Sequence, residues 1–186
     1  MEQQKQKEKG KWGNIFYIYI IPVAIKMISF FIPASGNQAL TNTLLNALFL
    51  VGMAIATIVC AIWIIRNGGL KGQFNTIKNT SLSVFAIIFV IVALGFGGTQ
   101  IVGVYKDSVQ GTQTITAESC TVRINRSVKG IVRSYYATFT LSNDKRKTFK
   151  ISSELYYELG KGHPYDMKIE YWENSGSLKA VTYAVK

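Results

Sequence analysis

The sequence contains few of the residue types that build metal centres and catalytic sites. It has two cysteines, Cys60 and Cys120, and the first lies in a hydrophobic run, which excludes a disulfide framework and a cysteine-based metal site. His163 is the single histidine, and no set of acidic residues has the spacing to complete a metal site around it. We therefore expect no metal.

Motifs for phosphate binding and catalysis are also missing. The glycines of Gly95–Gly98 follow an apolar run rather than a strand, and no Gly-Lys-Ser/Thr sequence occurs. Glu154 and Glu158 lie one helical turn apart, an arrangement more typical of a solvated helix face than of paired catalytic carboxylates. The sequence predicts a protein without a cofactor that is not an enzyme.

Acidic residues are scarce as well, at 10 against 21 lysines and arginines, which gives a net charge of +11. The excess is divided among an N-terminal tail, a middle loop, and residues 106–186, which hold 13 basic and 8 acidic residues. This distribution is a topology signal with a mildly basic C-terminal part, and it is not typical of a nucleic-acid-binding protein.

Three long apolar runs occupy the first half of the chain, at about 15–32, 44–65 and 82–104. Their lengths of about 18, 22 and 23 residues are sufficient for helices that cross a bilayer. The sequence thus predicts a basic tail over 1–13 and a three-helix transmembrane region over 14–105. A cleaved signal peptide ending near Ala34–Gly36 is the alternative for the first run.

The positions of the basic residues predict the orientation. The tail and the 66–81 loop carry seven lysines and arginines, whereas Pro33–Asn42 carries no charge. Because short cytoplasmic loops collect Lys and Arg, we expect a multi-pass cell-membrane protein with a cytoplasmic N-terminus and an extracytoplasmic C-terminal domain.

Within the apolar runs, Lys26 and Pro22 are the candidate functional residues. A charge inside a span often faces a cavity or a bound anion, and Pro22, one turn earlier, removes a helical hydrogen bond. Lys26 is also close enough to the helix end for its ammonium group to snorkel to the interface. Both interpretations of Lys26 remain open.

Small residues on one helix face let another helix approach closely. Two apolar runs carry such faces, which are candidate packing surfaces. Their members are Gly52, Ala56 and Cys60, and Ala86, Ala93 and Gly97.

From Thr112 onward apolar and polar residues alternate, which predicts strands. Five short strands with one helix, Glu154–Leu159, between the third and fourth indicate a small all-β domain over 110–186, an OB-like or SH3-like five-stranded barrel. Its predicted core includes Phe139, Phe149 and Ile169.

Basic residues surround both predicted hairpins, and adjacent aromatic pairs should place one ring in the core and one in solvent. This surface is the candidate site for a partner. Its members are Arg123, Arg126, Lys129, Arg133, Lys145, Arg146, Lys147 and Trp172. An extracytoplasmic location disfavours nucleic acid and suits a protein or an anionic envelope component.

The segment Leu159–Tyr171, followed by Ser175–Leu178, resembles a pattern in small bacterial membrane proteins that carry a terminal β-domain. It is also similar to the membrane-tethered OB domains of the NfeD type. The resemblance covers about 40 residues of this chain. It implies a tethered β-domain and no catalytic residue.

The most consistent function is that of a non-enzymatic integral membrane protein, an accessory subunit or an immunity-type protein, whose β-domain binds a protein or an anionic envelope partner. Besides the lipid bilayer, we expect a protein partner or a homo-oligomer. The alternative is a transport or channel component that acts as an oligomer with Lys26 in the path. A membrane-bound hydrolase is a third candidate, for which the chain supplies no motif.

Overall fold

The computed structural model describes residues 2–66, 76–126, 133–161 and 164–185. Three long helices come first in these ranges, and strands with one short helix follow. The elements are α1 (Glu2–Phe31), α2 (Ala39–Arg66), α3 (Thr76–Gln110), β1 (Gln113–Ala117), β2 (Ser119–Arg126), β3 (Arg133–Thr140), β4 (Arg146–Ile151), α4 (Ser153–Lys161), β5 (Pro164–Trp172) and β6 (Ser177–Val185).

Two of the long helices are long and apolar enough to cross a membrane. They are Ala39–Trp63 in α2 and Ser83–Gln110 in α3, with mean hydropathies of 2.4 and 2.3. In α1 the apolar part is shorter, Tyr17–Phe31. At a rise of ~1.5 Å per residue it extends about 22 Å, less than the ~30 Å of a hydrocarbon core. By length and composition the described residues therefore hold two membrane-capable helices rather than the three expected, although α1 continues unbroken through Pro22.

The chain divides into two compact units. The first, the helix unit, joins Met1–Ser29 with Leu45–Ile101, and the second, the β unit, joins Phe30–Leu44 with Val102–Lys186. All six described strands belong to the β unit, and so does the connection between α1 and α2. The compact unit that contains the strands thus includes more of the chain than the predicted domain over 110–186.

The described strands form two three-stranded antiparallel sheets, β1-β5-β6 and β2-β3-β4. The expected OB-like or SH3-like five-stranded barrel differs from this arrangement in strand number and in closure, for a local reason. Only Glu118 separates β1 from β2, and the chain changes pairing partner there, because β1 pairs with β5 whereas β2 pairs with β3. No ladder joins β4 to β6 among the described residues, so the two sheets do not close.

The core of the β unit lies between the sheets, where the alternating apolar residues meet. Its fully buried side chains include Phe139, Ile151, Met167, Ile169 and Leu178. Helix α4 packs on this core through Leu159. The Ser152 hydroxyl accepts a hydrogen bond from the Leu155 N–H at 3.3 Å and so caps the start of α4.

We expect Phe139→Ala to lower the free energy of unfolding by roughly 3–5 kcal/mol, because its fully buried ring contacts the Phe149 ring at a centroid distance of 6.0 Å. Lys145→Ala, in the exposed turn before β4, should change it by less than about 0.5 kcal/mol. Chemical denaturation of both variants in detergent measures the difference. Equal stabilities would mean that Phe139 is not in the core.

Candidate functional site

The turn between β5 and β6 is the point at which the helical segments of the β unit contact its strands. We call residues Asn174–Leu178 the coupling turn. Asp107, near the end of α3, is only 1 % exposed, and its carboxylate accepts hydrogen bonds from the backbone N–H groups of Asn174 at 2.9 Å and Ser175 at 2.6 Å. The Asn174 side-chain amide donates to the same carboxylate at 2.8 Å. The carboxylate thus receives three hydrogen bonds from the turn.

Local electrostatics make Asp107 unusual. The C-terminal end of a helix carries partial negative charge and disfavours an acidic residue there. Asp107 lies in the last turn of α3, which ends at Gln110, and Gly111 follows with φ +79° and its N–H donating to the Asp107 carbonyl at 2.9 Å. The hydrogen bonds from the coupling turn offset both the unfavourable interaction of the carboxylate with the helix dipole and the cost of burying its charge.

Gly103, one turn before Asp107 on α3, lies directly against the same turn. A Cβ atom at this position would come within 2.8 Å of the Asn174 carbonyl oxygen, which is closer than real Cβ contacts. Gly103 therefore permits the approach of backbone to backbone on which the Asp107 hydrogen bonds depend.

The connection between α1 and α2 contacts the other end of the coupling turn. Ser35 forms a parallel bridge with Leu178, and the Gly36 N–H donates to the Leu178 carbonyl at 3.1 Å. The Ser35 hydroxyl also accepts a hydrogen bond from the Ser152 N–H at 3.1 Å. One short connection thus contacts both β6 and the residue that follows β4.

The start of α2 adds one more contact to the turn. The hydroxyls of Thr43 and Ser177 are hydrogen-bonded at 2.8 Å, and Ser177 is buried. The end of α3, the connection after α1 and the first turns of α2 therefore all bind the coupling turn. A displacement of any one of these segments would act on β5 and β6.

Within the helix unit, Lys26 is held by polar neighbours. Its ammonium group donates to the Asn46 side-chain oxygen and lies 5.7 Å from the centre of the Phe49 ring. The hydroxyl of Ser29, which is buried, donates to the Lys26 carbonyl at 2.8 Å. Lys26 itself is half-buried. Asn46 is the partner that sequence reasoning did not identify, and an asparagine at the start of an apolar run is the signal that indicates it.

The predicted packing faces lie at helix contacts of the helix unit. A Cβ atom on Gly52 would be 3.1 Å from Cγ of Pro22, and one on Gly97 would be 2.9 Å from Cγ2 of Val51. Pro22 is therefore a packing residue opposite Gly52. Ala56, Cys60 and Ala93 are buried, whereas Ala86 is half-buried.

The predicted partner surface separates into different environments. Arg123 is exposed, and its guanidinium lies 5.9 Å from the centre of the Tyr136 ring. Arg126 and Arg133 are directly opposite each other at the end of the β2–β3 ribbon. Lys145 and Arg146 are exposed, and Lys129 lies outside the described residues.

Two members of this predicted surface are not on it. Lys147 lies on the inner face of β4, 3.9 Å from the centre of the Tyr171 ring, and donates to the Tyr171 hydroxyl. Trp172 is 7 % exposed and its neighbour Tyr171 is 3 % exposed, so the expectation of one buried ring and one exposed ring is wrong for this pair. The cause is a register shift between Glu170 and Tyr171, which interrupts the alternation of faces.

Groups that could carry out chemistry are poorly placed for it in the described part of the chain. Burial raises the pKa of the Cys120 thiol to about 11, so it stays protonated at neutral pH and is a poor nucleophile. Desolvation, followed by a hydrogen bond to the Glu158 carboxylate, raises the pKa of Tyr183 to about 12. No group of three metal-ligating side chains occurs among the described residues, and His163 lies outside them.

An open cleft of about 530 Å³ lies beside β1 in the β unit. Its lining includes Glu118, Lys168 and Asp166, which has φ +49°. The other lining residues are small or polar, and none of them forms a nucleophile–base pair. We assign no reaction to this cleft.

Comparison with known proteins adds no identification. No protein-family model matches the chain, no curated protein matches it, and no solved structure matches it. A function therefore has to be argued from the residues and their geometry.

Asp107→Ala should lower the free energy of unfolding by roughly 2–4 kcal/mol, because it leaves two backbone N–H groups and one amide of the coupling turn without their charged acceptor. The adjacent Ser108→Ala removes an exposed hydroxyl that bonds only within α3, and should cost less than about 0.5 kcal/mol. Chemical denaturation of the full-length protein in detergent compares the two. Similar effects would show that the carboxylate does not hold the turn.

Proposed function

We propose that this chain is a non-enzymatic, multi-pass membrane protein whose β unit binds a protein or an anionic component of the cell envelope on the extracytoplasmic side. The observation that supports this proposal is that the β unit is built from two separate segments of the chain, Phe30–Leu44 and Val102–Lys186. The chain leaves this unit after Leu44, passes through α2 and α3, and enters it again at Val102. Two membrane-crossing helices between these points would return the chain to the same side of the bilayer.

The same reasoning includes α1. Its C-terminal end continues into the connection that binds Leu178, and its N-terminal end carries the lysine-rich tail. Because Lys and Arg are retained on the cytoplasmic side, the tail and the loop with Arg66, Lys71 and Lys78 favour the cytoplasm. In this proposal α1 also crosses, and its short apolar part, Tyr17–Phe31, is extended toward the interfacial residue Trp12.

For the β unit we propose an OB-like connectivity. If β1 and β2 are counted as one strand bent at Glu118, the five resulting strands have the neighbour order β4, β3, bent strand, β5, β6. Helix α4 then lies between the third and fourth strands along the chain. A partly open five-stranded barrel of this kind is typical of OB folds, which commonly bind ligands on a sheet face.

Binding rather than catalysis is the proposed activity because the exposed cations of the β unit lie on its surface, and the described residues place no reactive group beside them. Arg123, Arg126, Arg133 and Arg146 are exposed on β2, β3 and β4. Cationic surfaces of this type attract anionic partners and accelerate their association. An accessory subunit or an immunity-type protein would use the β unit in this way, alone or as a homo-oligomer.

Cysteine labelling tests the topology. In a background that lacks Cys60 and Cys120, a membrane-impermeant maleimide on intact cells should label Asn143→Cys, in the exposed turn before β4, and should not label Asn75→Cys. Cell lysis should expose both positions and serves as the control. The reverse pattern on intact cells would place the β unit in the cytoplasm and contradict the proposal.

A second candidate function, transport by an oligomer, is favoured by one observation, the polar cluster of Lys26, Ser29 and Asn46 in the helix unit. Polar and charged groups inside membrane segments often mark the path of a solute. The structure also allows a packing role for this cluster, because Lys26 and Asn46 join α1 to α2.

Flux through liposomes distinguishes these roles. If the cluster lines a path, the wild-type protein should conduct ions or solutes, Lys26→Leu should abolish the flux, and Met27→Leu, at an exposed neighbouring position, should retain it. Absence of flux in the wild type, together with a partner cross-linked to the β unit in native membranes, would reject transport and favour the binding function.

A further inference from the structure

The outward face of the β2-β3-β4 sheet has a composition that differs from the rest of the β unit. Strand register places its side chains in rows that cross the three strands. One row is Arg123, Tyr136 and Lys150, the next is Thr121, Thr138 and Thr148, and a third is Ser119, Thr140 and Arg146. We call these nine residues the hydroxyl-cation face. It contains three cationic residues, five serines or threonines and one tyrosine, and it contains no acidic residue.

The face is open to solvent within the β unit. Its members on β2 and β4 are all exposed. Those on β3 are half-buried, because β3 is the central strand and has a neighbouring strand on each side. Helix α4 contacts the opposite, inward face, where Gly160 approaches Val122 and Tyr156 packs on Tyr135. None of the three cations forms an ion pair with a described residue.

Charge complementarity favours an anionic ligand for this face. Arg123 and Lys150 lie on either side of the Tyr136 strand, about 10 Å apart at the ~4.8 Å spacing of neighbouring strands. Arg146 lies four residues from Lys150 along β4, about 13 Å away at ~3.3 Å per residue. Cations distributed at these distances fit repeated anionic groups along a chain better than a single small anion.

The residues between the cations specify the chemistry of that chain. The Thr138 and Thr148 hydroxyls are hydrogen-bonded at 2.9 Å, and the Thr121 hydroxyl donates to the Thr138 carbonyl at 3.5 Å. The threonine row therefore presents oriented hydroxyl oxygens that accept and one hydroxyl hydrogen left to donate. Such a row suits hydroxyls on the ligand. A guanidinium group binds phosphate oxygens through two parallel hydrogen bonds, which makes Arg123 and Arg146 suitable for phosphodiesters.

Nucleic acid has the same anionic groups but a further requirement. Single strands bind mainly through bases stacked on exposed aromatic rings. Tyr136 is the only aromatic residue of the hydroxyl-cation face, it is half-buried, and the Arg123 guanidinium lies over its ring. The face therefore lacks an open surface for base stacking.

We propose that the hydroxyl-cation face binds a linear polymer of phosphodiester-linked, hydroxylated units in the cell envelope, such as a polyol phosphate. This inference rests on the proposed extracytoplasmic binding function and names the ligand class of the β unit. Arg123 and Arg146, at opposite corners of the face, bind phosphates that are separated along the polymer. Lys150 binds a phosphate between them, and the threonine row contacts the hydroxyls.

The test uses the full-length protein in nanodiscs of zwitterionic phosphatidylcholine and a fluorescent glycerol-phosphate oligomer. The triple variant Arg123→Gln, Arg146→Gln, Lys150→Gln should bind the oligomer about 10- to 100-fold more weakly, from the loss of three exposed ionic contacts. The matched control Lys106→Gln, Lys161→Gln, Lys168→Gln removes the same charge from exposed positions outside the face and should stay within about threefold of the wild type. Thermal melting should be similar for both variants.

Several results would overturn the inference. Equal weakening in both triple variants would mean that net charge alone drives binding, and tighter binding of polyuridylate or polyglutamate would assign a different polymer. Loss of oligomer binding in nanodiscs that contain phosphatidylglycerol would make the face a lipid contact. Failure of the wild-type protein to bind the oligomer would also reject the proposed ligand class.

These outcomes are distinguishable from failure of the proposed function. If cysteine labelling places the β unit in the cytoplasm but the oligomer still binds through the face, the ligand chemistry stands and the envelope location fails. If labelling places the β unit outside and the oligomer does not bind, the location stands and this ligand class fails.

Discussion

The buried carboxylate of Asp107 fixes the coupling turn, and much of the β unit depends on that contact. It binds two consecutive backbone N–H groups, of Asn174 and Ser175, at the point where β5 turns into β6. The charge occupies the unfavourable end of a helix dipole, so without these donors the position would be destabilising. Gly103 belongs to the same constraint, because any side chain there would hold α3 away from the turn.

Through this turn, the helical segments of the β unit are hydrogen-bonded to its strands. The coupling turn is bound at one end by α3 and at the other by the connection between α1 and α2. Strand β5 pairs with both β1 and β6, so a shift of the turn would reach every strand of that sheet. Within the β unit, the end of α3, the start of α2 and the strands β5 and β6 would therefore influence one another through Asn174–Leu178, since energetic coupling is reciprocal.

Sequence periodicity predicted the elements that depend on local pattern. Apolar runs predicted α2 and α3, and the alternation around Phe139 and Ile169 predicted the strands that form the core. The cap at Ser152 was predictable because its signal lies within a few residues of the helix it starts.

The features that sequence reasoning missed depend on partners far away in the chain. Strand β1 has the sequence QTITA, whose short alternation is inconspicuous, and its separation from β2 rests on the choice of β5 as partner. Asp107 contacts residues 67 and 68 positions later, and no local pattern indicates those contacts. An acidic residue in the last turn of α3 was the one signal present, because helix electrostatics disfavour it there.

Strand register divides the cations of the predicted partner surface between the two faces of the β2-β3-β4 sheet. Counting cations near hairpins grouped Lys147 with Arg146, although strand register sends them to opposite faces, one over the Tyr171 ring and one into solvent. Lys150 joins Arg123 on the outward face through their shared partner Tyr136, which becomes evident only from the register. Alternation along β4 by itself already places Lys147 and Lys150 on opposite faces of the sheet.

The most direct test of the central claim is amide hydrogen exchange of the full-length protein in detergent micelles. If the helical segments hold the coupling turn, the N–H groups of Asn174, Ser175 and Gly36 should exchange slowly, with protection comparable to that of the Ile169 amide in the core strand β5. Asp107→Asn should also accelerate exchange at all three turn-associated positions. Rapid exchange of these amides in the wild type, with Ile169 still protected, would show that the helical segments do not hold the turn and would contradict the account.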